Sequence, residues 1–354
     1  MNDRKFAAKP FTVIRDSAAD ALYGAVVALG NFDGVHRGHR AVIATALQRA
    51  ASLRRKAAAL TFAPHPRKFF QPQTPLFYLT GERDKLRLLA ATGLNGAIIL
   101  PFDAALAATP AQDFIERILI GHFGVSGVTI GFDFHFGQKR QGTPNYLQRQ
   151  GLRLGFPVDI VPQFSDAGKP VSSGAIRAAL TEGKVTEAAD MLGAPWFVSG
   201  EVIHGDKRGR ELGFPTANIK LDPDCGLRHG IYAVRVGIPD SAHSRASGNP
   251  EAAESGVAGS PPSRGRAVTL YDGVASFGLR PMFETETPLL EVFLFDFAGD
   301  LYGRTIDVAF IAWLRGEKKF ASLDDLKAAI AADSANGRTA LKAAGAAFPV
   351  LGKI

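Results

Sequence analysis

Apolar positions follow two different patterns along the chain, with the change near the middle. In the first half, short apolar runs alternate with stretches of helical spacing. Residues 25–29 and 58–62 read as buried strands. Between them, Val42, Ile43, Ala46, Leu47, Ala50 and Leu53 mark one face of a helix over 38–56. Thr80 is placed to cap a helix running to about Ala91, with Gly93 just beyond its end. Residues 97–100 read as the next strand. Thr109-Pro110 opens a helix through Phe114, Ile115, Ile118 and Leu119, with proline at the first helical position. Residues 128–134 and 158–161 are further strands. This alternation predicts an α/β domain, a mostly parallel sheet with helices on both faces.

The second half is β-rich. Residues 197–203, 230–236, 268–279, 289–297 and 305–314 read as strands separated by Gly, Pro and Asp turns. One clear helix follows over 323–332, capped by Ser322. That pattern predicts a small antiparallel β-barrel with a C-terminal helix. Two short helical pieces, 175–180 and 185–192, end at Gly193-Ala194-Pro195. The expected division is therefore a domain over 1–183, a linker over 184–196, a second domain over 197–333 and a loosely ordered tail over 334–354. Residues 239–266 hold one large aliphatic side chain, Val257, and cannot bury enough to offset the entropy of ordering. They lie between two expected strands and read as a disordered insertion in a hairpin loop.

Composition narrows the class. Of 354 residues, 46% are hydrophobic and 21% charged, which is globular and, at this length, suggests about two domains. The single cysteine, Cys225, excludes a disulfide framework and a multi-cysteine zinc site. The apolar runs are too short to span a bilayer, and the N-terminus lacks the apolar core of a signal peptide, so a cytoplasmic protein is expected. The net charge of +7 is uneven: residues 1–183 hold 22 Lys/Arg against 13 Asp/Glu, and residues 184–354 hold 19 against 21. A basic half can attract phosphorylated metabolites or nucleic acid. Its basic residues are not interleaved with aromatics in a stacking pattern, which speaks against a nucleic-acid-binding protein.

Two stretches carry chemistry. Directly after the first strand comes G-N-F-D-G-V-H-R-G-H, residues 30–39. Its glycines admit close approach of a ligand to the backbone, and the helix that follows offers free N–H groups to an anion. His36 and His39, three residues apart at a strand–loop–helix junction, can reach one phosphate chain. This resembles the H-x-G-H signature of the adenylyl/cytidylyl transferase superfamily. The further motifs T-F-A-P-H-P (61–66), G-F-D-F-H-F-G (131–137) and V-S-S-G-A-I-R (171–177) make the half similar to the FMN adenylyltransferase module of bacterial bifunctional riboflavin kinase/FAD synthetases.

The resemblance implies a Rossmann-like nucleotidyltransferase domain. In it Gly30, Phe32, Asp33, Gly34, His36, Gly38, His39, Ser173 and Arg177 form the ATP site, and His36 and His39 act on the phosphates. Phe62 and Asp133 would hold the flavin. Gly174 stands where the family usually has Thr, and Asp133 where some relatives have Asn. An impaired adenylyltransferase half is the runner-up reading.

The second stretch is G-D-K-R-G-R-E-L-G-F-P-T-A-N, residues 205–218. It lacks the G-K-[ST] ending of a Walker A loop. Thr216 and Asn218 are hard oxygen ligands two residues apart in an extended segment, which suits Mg²⁺. The stretch resembles the MgATP loop of riboflavin kinase, and the likeness continues through residues 230–236, 275–283, 290–304 and 315–327. It implies a riboflavin kinase barrel in which Gly205, Asp206, Gly209, Gly213, Phe214, Pro215, Thr216 and Asn218 bind ATP. Thr216 and Asn218 would hold the metal, Arg280 would face the flavin, and Glu291 would be the general base. Ser276 replaces a frequent Asn and Met282 a frequent Thr. The expected partners are riboflavin, FMN, FAD and ATP, with neither nucleic acid nor membrane.

Overall fold

The computed structural model describes residues 10–15, 21–166, 168–204, 215–239, 268–280 and 287–354. The chain divides into two compact units, one of residues 1–175 with 191–193 and 350–354, the other of residues 176–190 and 194–349.

The first unit is built on a six-stranded sheet: β1 (Thr12–Arg15), β2 (Val26–Leu29), β3 (Ala57–Ala63), β4 (Gly96–Pro101), β5 (Gly127–Gly131) and β6 (Val158–Val161). The order is β1-β4-β3-β2-β5-β6 and every pairing is parallel. Parallel strands covered on both faces need no polar alternation, which is why β2 is wholly apolar and β3 is broken only by Thr61. The connections carry α1 (Arg37–Leu53), α2 (Pro66–Phe70), α3 (Glu82–Ala90), α4 (Ala104–Ala108), α5 (Ala111–Asp113) and α6 (Pro144–Leu154). α5 widens into a π-helix over Phe114–His122, so Pro110 stands at the N-cap rather than inside the helix. The main core joins Val27, Leu29, Leu60, Ile98, Leu119 and Ile130.

A two-residue-per-strand ribbon, β7 (Ser165–Asp166) with β8 (Lys169–Pro170), precedes α7 (Ser173–Thr181) and α8 (Val185–Leu192). These helices differ from the sequence division. Residues 176–190 belong to the second unit, where the Arg228 N–H donates to the Leu180 carbonyl (3.1 Å) and the Arg228 guanidinium covers the Trp313 ring at 4.4 Å. The span expected as a linker is thus mostly helix, with Val185, Ala188 and Leu192 buried.

The second unit contains β9 (Phe197–Glu201), β10 (Ala217–Lys220), β11 (Gly230–Pro239), β12 (Val268–Arg280), β13 (Thr287–Leu294) and β14 (Thr305–Arg315), all antiparallel. The order is β10-β13-β12-β11-β14-β9, and an antiparallel bridge between Ile203 and Asn218 nearly closes the barrel. Tyr232, Val234, Phe277, Leu290, Val292 and Phe310 fill the interior. Of the expected insertion, Pro239 ends β11 instead, and the remaining residues lie outside the described ones. Its flanks pair in register to the last pair, Pro239 with Val268.

The tail differs from expectation. The helix α9 runs over Leu323–Ala343, capped by Ser322 whose hydroxyl accepts the Asp325 N–H at 3.1 Å. Residues 334–343, expected in a loose tail, continue the helix, and Gly337 within it packs closely on the barrel: a Cβ there would sit 2.6 Å from Val274 Cγ1. Leu341 joins Ala233, Val274 and Phe295 in a cluster on the outer face of the barrel. Beyond it, the buried Arg235 guanidinium donates to the carbonyls of Leu341, Gly345 and Ala347.

Candidate functional site

In the first unit, β2 lies where the chain stops adding strands on one side and starts on the other. Such a switch point opens a crevice at the carboxyl ends of the strands. Residues 30–36 occupy it as a tight turn. Phe32 and Val35 have φ of 52° and 42°, and Gly34 has φ of 83°. Left-handed backbone in a non-glycine residue costs roughly 1–2 kcal/mol, so something must hold the turn. Phe32 and Val35 are buried. Asp33, also buried, accepts the N–H groups of Leu79 (3.2 Å) and Thr80 (3.0 Å) and the Thr80 hydroxyl (3.3 Å). The Gly34 N–H donates to Thr80 Oγ1 at 3.1 Å. Thr80 therefore anchors this turn and does not cap α3, whose N-cap is Gly81.

His36 is the N-cap of α1, its Nδ1 accepting the His39 N–H at 3.2 Å. The two imidazoles stack with centroids 3.6 Å apart, and Phe32 meets His39 edge-on at 5.3 Å. The first turn of α1 holds no acidic residue, so its free N–H groups stay open to an anion. Burial first, then His36, then Lys85, push His39 well below the usual imidazole range. Its buried Nδ1 has no partner among the described residues.

The other candidates differ in their surroundings. Gly30 N–H donates to the Leu60 carbonyl (3.1 Å), and Gly38 leaves room for the His36 ring, 3.1 Å from where a Cβ would stand. Ser173 Oγ donates to the Asp33 carbonyl at 2.9 Å. Arg177 belongs to the other unit. Phe62 is packed in the core against Phe102 (5.8 Å), while Asp133 is exposed beyond β5. Phe69 and Phe70 also pack edge-to-face on Phe102, at 5.4 and 5.7 Å, and Phe70 is 63% exposed. This aromatic group at the ends of β3 and β4 was not among the sequence candidates. P-R-K-F-F gave the signal, two adjacent aromatics after an H-P pair.

In the second unit, the glycine-rich residues Gly205, Asp206, Gly209, Gly213 and Phe214 lie outside the described residues, as does the Arg280 side chain. Pro215 is exposed and Thr216 half-buried. The register places Glu291 of β13 between Asn218 of β10 and Ser276 of β12. Directly opposed residues on one face have Cβ atoms about 4.5–5.5 Å apart. Leu290 and Val292 point into the barrel, so this polar row takes the outer face. Asn218 is buried, its Nδ2 donates to the Thr216 carbonyl at 3.4 Å, and its Oδ1 has no partner among the described residues. A buried amide oxygen without a donor is suited to a cation. Ser276 in this row was noted only as a replacement; the register makes it a neighbour of Glu291.

Comparison with known proteins follows the same division. Residues 18–175 match the family model for FAD synthetase, and residues 192–341 match that for riboflavin kinase. The bifunctional riboflavin kinase/FMN adenylyltransferase of Escherichia coli K12 is 37% identical over 315 residues, covering 89% of this chain and 92% of that one. The Haemophilus influenzae protein of the same description is 37% identical, covering 90% and 94%. A crystal structure described as a macrolide-efflux protein from Streptococcus pneumoniae is 30% identical, with a TM-score of 0.76 over 92% of this chain and 98% of that one. Among the described residues of this chain, no helix is long and apolar enough to cross a membrane. With both halves matched in order and relatives covered nearly end to end, the chain belongs to the bifunctional riboflavin kinase/FMN adenylyltransferase family.

Proposed function

We propose that the chain makes FAD from riboflavin in two ATP-dependent steps, one on each unit. The barrel transfers the γ-phosphate of ATP to the ribityl hydroxyl of riboflavin. The α/β unit then joins FMN to the adenylyl group of a second ATP and releases pyrophosphate. The observation that supports this most is the match of the two halves, in order, to FAD synthetase and riboflavin kinase.

At the kinase site, Glu291 accepts the proton of the attacking hydroxyl, and Asn218 and Ser276 flank it. Thr216 and Asn218 would hold Mg²⁺, a fit supported by the unpartnered buried Oδ1 of Asn218. The ion, when bound with ATP, would supply charge neutralisation at the phosphates. Residues 205–215 would contribute to ATP binding, and Arg280 to flavin binding.

At the adenylyltransferase site, no protein nucleophile is required. The FMN phosphate oxygen bonds to the α-phosphorus, the α–β bridging bond breaks, and pyrophosphate leaves with the electron pair. The residues contribute position and electrostatic stabilisation. The α1 N-terminus and the donors of His36 and His39 meet the phosphates. Ser173 holds the turn through the Asp33 carbonyl, and Asp33 itself serves as the anchor of that turn. Asp133 and the edge of Phe62 would meet the flavin. The need for ATP and soluble flavins supports a cytoplasmic location, with neither nucleic acid nor membrane as partner.

The test is direct. The full chain is incubated with riboflavin, ATP and Mg²⁺, and FMN and FAD are followed by chromatography. FMN is expected first, then FAD with pyrophosphate. Absence of FMN from riboflavin refutes the kinase reading, and absence of FAD from added FMN refutes the adenylyltransferase reading.

A further inference from the structure

Among the described residues, Lys85 is the only buried lysine. It lies on α3, where Leu86, Leu88 and Leu89 also face inward. Its ammonium reaches the phosphate turn from below, 3.4 Å from the Asn31 carbonyl and 3.3 Å from Thr61 Oγ1. The Thr61 hydroxyl itself donates to the Asn31 carbonyl at 3.1 Å. An ammonium has three donors, and these two contacts are long and made to uncharged oxygens. The nearest carboxylates form no ion pair with it: Asp33 accepts from residues 79 and 80, and Glu82 pairs with Arg15. Burial pulls Lys85 below its ordinary value, while Asp33 and Glu82 act to raise it.

A buried, weakly satisfied cation is costly, and an apolar side chain of similar length would fit a helix–sheet interface at less expense. The charge also sits close enough to the stacked histidines to bear on His39. This placement makes sense if the compensating negative charge is the one that builds on the phosphates during the reaction. We propose that Lys85 is a positioning residue for FMN adenylylation. From beneath the turn it pins the Asn31 carbonyl just before the left-handed Phe32, and it presents a dry positive charge to the triphosphate bound above. The proposal rests on the adenylyltransferase reading. Its effect grows as negative charge builds on the α-phosphate oxygens in the transition state, so it should register in kcat rather than in ground-state binding.

The test compares Lys85→Met and Lys85→Arg in the full chain. Pyrophosphate release from ATP and FMN is measured beside riboflavin phosphorylation and thermal melting. For Lys85→Met, the adenylylation kcat should fall about 10²-fold, the size seen when one preorganised donor is lost. KM for ATP and FMN should stay within about threefold of the wild type. Phosphorylation of riboflavin should be unchanged, and Tm equal or higher because an unpaired charge is removed. Lys85→Arg should recover at least about a tenfold share of the loss. A kcat within about threefold of wild type overturns the proposal. So does a loss carried by KM for ATP, or a loss that accompanies unfolding in Met and Arg variants alike, since those outcomes mark a purely structural lysine. A wild-type chain that forms no FAD would instead refute the underlying reading.

Discussion

Asp33→Asn should switch off one activity and spare the other. The carboxylate holds the turn through three donors, two of them backbone N–H groups of Leu79 and Thr80. In the amide, Oδ1 can still serve Thr80, but Nδ2 replaces the oxygen that faces the Leu79 N–H at 3.2 Å. One charge-assisted bond is lost and two donors confront each other in a buried site. Hydrogen bonds to charged groups contribute about 1.5–3 kcal/mol. Against them stand two left-handed non-glycine residues, Phe32 and Val35, at roughly 1–2 kcal/mol each. Anchor and strain are similar in size, so losing part of the anchor should let the turn relax. At 1.36 kcal/mol per tenfold, the population of the formed turn should fall roughly 10- to 150-fold. The assay is pyrophosphate release from ATP and FMN, beside riboflavin phosphorylation in the same preparation. Adenylylation should drop by that factor, with phosphorylation unchanged. Thr80→Val shares the anchor, so the double variant should lose less than the two single losses multiplied. Wild-type adenylylation by a folded Asp33→Asn chain would refute the idea that the strained turn is what the site depends on.

Glu291→Gln should lower riboflavin phosphorylation by about 10²–10⁴-fold and leave FAD formation from added FMN intact; an unchanged phosphorylation rate removes Glu291 from the mechanism. A Cβ at position 174 meets only Ser172 Oγ, at 3.7 Å, so Gly174→Thr should fold normally and adenylylate FMN at the wild-type rate or faster, and a fall in Tm would show that the site is tighter than its geometry. Replacing residues 240–267 by a short Gly-containing turn should keep both activities and raise stability by about 1–2 kcal/mol, since closure entropy changes by about 0.6 kcal/mol per doubling of length; loss of kinase activity in a chain that melts cooperatively would give the segment a role. Burial pushes the Cys225 thiol up from 9.0 to about 11, so at pH 8 a disulfide reagent should modify it far more slowly in the folded chain than in urea, and equal rates would refute its burial.

Much of this architecture was readable because parallel strands bury both faces. The runs at β2, β3 and β4 needed no partner to be recognised. Five of the six barrel strands were equally plain, but the four-residue β10 was not among those read. What failed was whatever depends on contacts remote in sequence. The tail over 334–354 reads as loose, and only Val274, 63 positions before Gly337, shows that its first part packs closely on the barrel. α6 was missed although Thr143 caps it, Pro144 starts it and Gly155 ends it, because its apolar face is narrow. Thr80 carried a cap-like signal, but its hydroxyl serves a turn 46 residues away. The phosphate motif placed His36 and His39 together, since three helical residues suffice. No local pattern reveals that Lys85 points inward, because an isolated lysine on an amphipathic helix reads as solvent-facing. The neighbours of Glu291 were hidden for the same reason: strand register is set by the pairing of distant segments.

The packing of α9 on the barrel also bears on how the chain is made. Ala233 and Leu341 share one outer-face cluster but are 108 positions apart. At roughly 5–20 residues per second of synthesis, Leu341 leaves the ribosome about 5–20 seconds after Ala233. Strands β11 to β14 can pair during that interval, yet the face over Ala233, Val274 and Phe295 has no cover until the last helix arrives. Arg235 waits equally long for the three carbonyls that satisfy it. A nascent kinase unit therefore passes through a sticky stage whose length is set by translation speed, and slow codons between positions 300 and 340 would prolong it.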